Sequence, residues 1–349
     1  MMSTRRLTLI HGKILSRVFA AALSATLVFG AYGQDRLPPS FPANPSTWNS
    51  DEREQAGLFV DAQVNRLLTG EESAISKGRS SLVEALTFPG GADQYISQLS
   101  EVIADRLGPL METQDLMIRV NAIIVCTYLK HPDALAPIEA GLKDPNAGVR
   151  YNAANAMANL LADGQLSNNE RNAALQTLEN LAADEQDTFV MQPMLDALDQ
   201  TRDDVLVLRV LNDRVAWHVG KPAESYEAER ETLQKVYIRI TTNPSPDPSL
   251  INELARVSVR YMRLASQQLA DGAVAADRNR SHIDIVDLAA TALRAAHTER
   301  AAPGRPPENP GRLGAQGNWA GVAGIAGEWV EVLKAPPFGF ADADLSVEP

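Results

Sequence analysis

Leu135-Ala136-Pro137-Ile138, then Leu142, Asp144, Val149-Arg150, Ala153, Ala156 and Leu160 form the stretch on which the fold turns. Apolar residues recur at helical spacing on both sides of Asp144-Pro145-Asn146, so the stretch reads as two amphipathic helices joined by a tight turn. Alanines three apart on the second helix leave a smooth strip that a neighbouring hairpin can approach closely, while Leu, Ile and Val fill the space between layers. A single hairpin cannot bury its own apolar face. The pattern therefore demands neighbours stacked on either side.

The neighbours are present. Ile118-Arg119, Ala122, Val125 and Leu129 repeat the second-helix pattern 31 residues upstream, with Asp115 half a turn closer to its arginine. Leu175, Leu178 and Leu181, followed by Val190-Met191, Met194 and Ala197-Leu198, repeat it 41 residues downstream, with Met191 where the arginine would stand. These spacings lie around those of helical repeats. The proline in the first helix, the Asp-x4-Val-Arg turn and the alanines behind it resemble the HEAT-repeat family. The resemblance is clear over 133–163, fair over 92–200 and architectural beyond.

That resemblance implies an all-α fold, an α-solenoid of stacked antiparallel helical hairpins, whose concave second-helix surface holds a protein or peptide partner. The positions it offers for binding are Arg119, Asn121, Arg150, Tyr151 and Asn152. Arg119 and Arg150 also suit a purely structural role, because they occupy matching turn positions. An Asp144–Arg150 pair is expected across the turn or to the neighbouring repeat; if exposed, it is worth about 0–1 kcal/mol and fixes register.

Outward from this centre, helical periodicity runs from Ser50 to about Arg300, in segments near 51–69, 71–86, 92–108, 114–130, 133–142, 146–162, 168–183, 187–200, 203–219, 223–241, 248–270 and 281–299. Strand signals are almost absent. We therefore place a helical repeat domain at 49–300, its part after 200 built of degenerate closing hairpins. A Pro-rich linker is expected at 34–48 and a Pro/Gly linker at 301–318. The tail at 319–349 opens with Trp319, Val322, Ile325 (or Ala326), Trp329 and Val332 (or Leu333) at helical spacing, beside Gly321, Gly324 and Gly327. Three glycines cost an isolated helix about 1 kcal/mol each, so this helix is ordered only when docked. Its tryptophans dock on the solenoid itself or on another protein, which makes Trp319 and Trp329 further candidate binding residues.

The chain begins with Arg5, Arg6, Lys13 and Arg17, then an apolar run from Val18 to Gly30 and small residues up to Gly33. This reads as an export signal over 1–33 cleaved after Gly33, since an apolar run of about 13 residues is too short to span a bilayer. The expected compartment is secreted or periplasmic. The full chain of 349 residues carries a net charge of −12; without the leader, 28 basic residues face 44 acidic ones, a net −16. That charge argues against nucleic acid as a partner, which needs a basic face. One cysteine, Cys126, excludes a disulfide framework and reads as a small core residue.

No catalytic residue, metal or cofactor emerges. His131, His218, His282 and His297 form no two-ligand helical motif, and His282 with Asp284 and Asp287 reads best as a solvated helix start. Glu227, Glu229, Arg230, Glu231 and Lys235 read as a solvated mixed-charge face. The leading expectation is a non-catalytic exported scaffold. The alternative is an enzyme or an enzyme's accessory subunit with a site at one solenoid end, which requires a pocket gathering His282, Asp284 and His297.

Overall fold

Short polar side chains set where the helices begin. Asn49, Asp115, Asn146, Ser167, Asp187, Asp203, Asp247 and Asn318 each accept a hydrogen bond from a first-turn backbone N–H, satisfying a donor that has no partner within the helix. The computed structural model describes residues 36–42, 46–219, 221, 223–275 and 279–347; the expected leader and its cleavage point lie outside the described residues. Among the described residues there are fifteen α-helices, two 3-10 helices and no strand.

The helices are α1 (Ser50–Leu67), α2 (Glu72–Leu86), α3 (Asp93–Leu107), α4 (Leu116–Cys126), α5 (Leu135–Leu142), α6 (Ala147–Asp163), α7 (Asn168–Asp184), α8 (Thr188–Asp199), α9 (Asp204–His218), α10 (Glu227–Thr242), α11 (Pro248–Ala270) and α12 (Asn279–Glu299), followed by α13 (Gly311–Ala315), α14 (Trp319–Lys334) and α15 (Asp342–Leu345). Up to α12 they pair as antiparallel hairpins, α1 with α2 through α11 with α12. The second helices α2, α4, α6, α8, α10 and α12 pack on one another in chain order. The first helices form the other layer: α1 packs on α3, α3 on the 3-10 turn leading into α5, and then α5 on α7, α7 on α9 and α9 on α11. This is the expected two-layer α-solenoid.

The alanine strip performs its expected role. Ala153, Ala154 and Ala156 are fully buried where α6 meets its neighbours. A Cβ at Gly141 would lie 2.8 Å from Ile123 Cδ1 and 2.9 Å from Ala153 Cβ, so α5 approaches α4 and α6 this closely only because residue 141 has no side chain. Pro137 is the third residue of α5, where its missing N–H has no intrahelical acceptor to lose. Burial of Leu, Ile and Val in the interlayer space, at roughly 1.5–3 kcal/mol each, is the main source of stability. Cys126 is fully buried there, and burial pushes its thiol pKa up to about 12.

The boundaries differ from expectation in a few places. The α4 helix ends at Cys126 rather than near 130, because Thr127, Tyr128 and Leu129 tighten into i→i+3 bonds and the Thr127 hydroxyl donates to the Ile124 carbonyl at 2.7 Å. The Pro-rich segment ahead of α1 is no free spacer. Phe41 and Trp48 are buried with ring centroids 5.3 Å apart, and Trp48 lies edge-on to Tyr95 at 6.0 Å. The Trp48 backbone N–H donates to Gln98 Oε1 at 2.7 Å, fixing the segment to α3. The Pro/Gly stretch after α12 also lies against the stack: Pro307 and Pro310 are buried, and Arg294 donates to the Pro307 carbonyl at 3.4 Å. Among the described residues no helix is long and apolar enough to cross a membrane.

Candidate partner-binding surface

Arg119 and Arg150 are occupied inside the stack. Arg119 donates Nε to Asp144 Oδ2 at 2.6 Å and Nη2 to Asp144 Oδ1 at 3.3 Å, with Nη1 on the Thr113 carbonyl at 2.9 Å. Asp144 also accepts the Asn146 N–H at 2.8 Å. Arg150 repeats the arrangement one unit on, donating to both Glu185 oxygens at 2.8 and 2.9 Å, and Glu185 accepts the N–H groups of Gln186 and Asp187. The expected Asp144–Arg150 pair is thus corrected. Arg150 bonds the Asp144 main-chain carbonyl at 3.0 Å, while the Asp144 carboxylate belongs to the arginine of the preceding unit. With the Arg119 and Arg150 side chains only 12% and 19% exposed, neither guanidinium is free for a partner.

These pairs are more than exposed register marks. Burial pushes the Glu185 carboxyl up, but the Arg150 hydrogen bonds, the Asp187 N–H and the Arg150 charge outweigh it and hold the pKa below its ordinary 4.5. Because the folded value is the lower one, this stabilisation is complete above the unfolded value and is lost as pH falls through the folded one. Arg150→Met is expected to cost about 2 kcal/mol at neutral pH, typical of a hydrogen-bonded charge, with the difference from wild type shrinking below about pH 4. Urea unfolding at pH 7 and pH 3.5 checks it, and a difference independent of pH would contradict the assignment.

Asn121 is likewise internal. It is 3% exposed, accepts from Arg79 Nη1 at 2.8 Å and donates to the Met117 carbonyl at 2.7 Å. Asn152 is half-buried and donates to the Gly148 carbonyl at 2.7 Å. Of the five solenoid positions, Tyr151 is the aromatic one, and it is half-buried. Its ring stacks on Phe189, with centroids 4.3 Å apart and planes 16° from parallel, and Phe189 is 62% exposed. Pro193, one turn along α8, has no N–H to give the Phe189 carbonyl. Phe189, Gly148 and Met117 occupy one register position in three successive units, each just ahead of the first buried residue of its second helix (Val190, Val149 and Ile118). Met117 is half-exposed, and beyond its own cap residue nothing stands near Gly148, so the row reads bulky, bare, bulky along the second-helix layer.

Comparison with known proteins agrees with this repeat geometry: residues 104–199, spanning both arginine–carboxylate clasps, match the HEAT-repeat family model. Residues 104–199 are HEAT repeats. Among solved structures it is similar to a Kap121p mutant, with 14% identity and a TM-score of 0.38 over 84% of this chain and 34% of that one. It is also similar to an engineered protein, at 15% identity and a TM-score of 0.34, covering 82% and 87% of the two chains. The chain spans about a third of the Kap121p length. No curated protein matches it in sequence.

Beyond the matched repeats, the C-terminal tryptophans turn inward. The α14 helix packs on α11 and continues the first-helix layer, with Trp329 1% exposed beside His297 at 6.2 Å. Trp319 is half-buried over Gly314. The helix is therefore docked on its own solenoid, and Trp329 is a core residue. His282, Asp284 and His297 are not gathered into a pocket. His282 and His297 are fifteen residues apart on α12, about 22 Å along its axis, and Asp284 pairs with Arg280. Among the described residues no cluster of three or more His, Cys, Asp or Glu side chains forms a metal site.

Glu229 departs most from the sequence expectation. Instead of lying on a solvated face it is 2% exposed, with Oε1 at 3.2 Å from Arg214 Nη2 and 3.3 Å from His218 Nε2. Arg214 also donates to the Glu185 carbonyl at 2.6 Å. Tyr226, Tyr261 and His282 close around this group, with Tyr226 edge-on to each of His218, Tyr261 and His282.

Proposed function

We propose that this HEAT-repeat protein is an exported, non-catalytic scaffold that holds a protein or peptide partner on its second-helix layer. The stacked Tyr151–Phe189 pair carries the reading. An apolar ring left 62% exposed, in register with half-exposed Met117, forms an apolar shelf on which a partner side chain gains contact area. The bare position at Gly148 between them leaves room for that side chain. The basic, apolar and small-residue order of residues 1–33 supports export to a secreted or periplasmic location.

Two measurements test the parts separately. Residues 1–40 fused to a reporter active only outside the cytoplasm are expected to give signal, and substitution of two leader leucines by arginine to abolish it. Affinity capture on the full-length protein is expected to recover a partner that Phe189→Asp weakens at least about tenfold with the helical spectrum unchanged. Undiminished capture by Phe189→Asp and by the Tyr151→Ala/Phe189→Asp double variant would reject the shelf.

A further inference from the structure

At the far end of the solenoid, helices α11 and α14 form a groove that already holds a peptide: the chain's own tail. After α14 the chain folds back, and Leu345 and Val347 are buried against the stack. Two arginines of α11 hold the tail by its main chain, Arg263 Nη1 donating to the Leu345 carbonyl at 2.6 Å and Arg260 Nε to the Ser346 carbonyl at 3.0 Å. Such bonds read the backbone of whatever segment lies there, not its side chains. Selection falls to the two apolar seats and to Lys334 on α14, whose Nζ is 2.5 Å from Asp342.

The groove keeps two arginines that have no carboxylate partner. Arg256, Arg260 and Arg263 share one face of α11, where Arg256 pairs with Glu253, and on α14 Lys334 pairs with Glu331 as well as with Asp342. Among the described residues Arg260 and Arg263 bond main-chain carbonyls and Asn212, and neither forms an ion pair. Burial, and then the Arg256 charge, hold the Arg260 pKa below its ordinary value. Beside these contacts a cavity of about 510 Å³ opens between the tail and the two helices, with Gly327 and Val330 on one side and Ala343 and Ser346 on the other. Asp342 is 84% exposed, so its bond to Lys334 adds little holding strength.

We infer that this groove is a peptide-binding site that the tail Asp342–Val347 occupies in cis, and that it accepts in trans an acidic segment of the same pattern: a carboxylate, an apolar residue three positions on, and a second apolar residue two beyond that. The cis tail competes at an effective concentration of roughly millimolar, as a short tether provides, so a partner peptide binds only when the tail is released or outmatched. The site is built from elements other than the Tyr151–Phe189 shelf, and its partner need not be the shelf's.

The test uses the full-length chain and a fluorescent peptide of the tail sequence, residues 341–347. Leu345→Asp frees the groove. The peptide is expected to bind this variant with a dissociation constant tighter than about 100 μM, and wild type at least about tenfold more weakly. Adding Arg263→Ala to Leu345→Asp removes the binding, and a scrambled peptide shows none. Equal binding to wild type, binding indifferent to scrambling, or no binding to a folded Leu345→Asp chain would each overturn the inference. Should that variant fail to fold, a protease site placed at the exposed Gly339 lets the folded wild type be cut. The tail fragment is then expected to exchange with the labelled peptide, and a fragment that never exchanges overturns the inference too. Phe189→Asp leaves all these readouts unchanged, which separates the groove from the shelf.

Discussion

Glu229→Ala is expected to lower the unfolding free energy by about 3–5 kcal/mol, the loss that follows when one partner of a buried ion pair is removed and the other is left uncompensated. Arg214 and Glu229 are 3% and 2% exposed, so water cannot take over the orphaned guanidinium. The pair joins two hairpin layers, because Arg214 also holds the carbonyls of Ala183 and Glu185. Replacing both partners together, Arg214→Met with Glu229→Leu, is expected to recover most of the loss, since it leaves no buried charge behind. Chemical unfolding followed by circular dichroism measures all three chains. A loss under 1 kcal/mol for the single variant would contradict the buried-pair assignment.

The same group sets an acid limit. Burial pushes the Glu229 carboxyl up, but the His218 hydrogen bond and the Arg214 and His218 charges more than offset it, and its pKa lies below the ordinary 4.5. A depressed folded value means that the contribution is present above the unfolded pKa and disappears as pH falls through the folded one. Wild type is therefore expected to lose stability below about pH 4.5 more steeply than Glu229→Gln.

The second large effect is expected at Trp329. Trp329→Ala removes a 1% exposed side chain from the seam between α14 and α11 and is expected to cost about 3–5 kcal/mol. The consequence is local. Gly321, Gly324 and Gly327 leave α14 with little intrinsic helicity, so once its main anchor is gone the helix has no reason to persist. Limited proteolysis is expected to cut Trp329→Ala within 319–334 while the stack before it resists. The trans peptide of the tail groove loses a wall and does not bind. Protease resistance equal to wild type would show that Val322, Ile325 and Leu333 suffice to hold the helix.

The sequence made the helices legible because their periodicity is local: every segment from 51 to 299 has a helix at or near the expected bounds, and the apolar stripe of α14 is the face it buries. Relations between units were not legible. Asp144 and Arg150 stand six apart and invite pairing, yet the guanidinium that reaches the Asp144 carboxylate comes from Arg119 on the preceding hairpin. Spacing along the chain cannot distinguish a bond within a unit from one between units. Glu229 shows the same limit, since on α10 it sits among charged neighbours and only the packing of α9 against α10 buries it with Arg214. Phe189 leaves a trace in the sequence, a large ring one step out of register with the stripe that begins at Val190. Trp48 and Phe41 were hidden by the prolines around them, which mark an extended backbone but say nothing of what its side chains cover.

The arginine–carboxylate clasps bear on how such a chain grows and shrinks. From α4 to the 5/6 turn, and from α6 to the 7/8 turn, the ionic link between units is one guanidinium and one carboxylate whose other bonds are to its own turn. A deletion spanning 133–163 would bring Arg119 opposite Glu185, a joint of the same chemistry with a side chain one methylene longer. The seams thus act as standard couplings, and whole hairpins are exchangeable parts while the residues inside them are not.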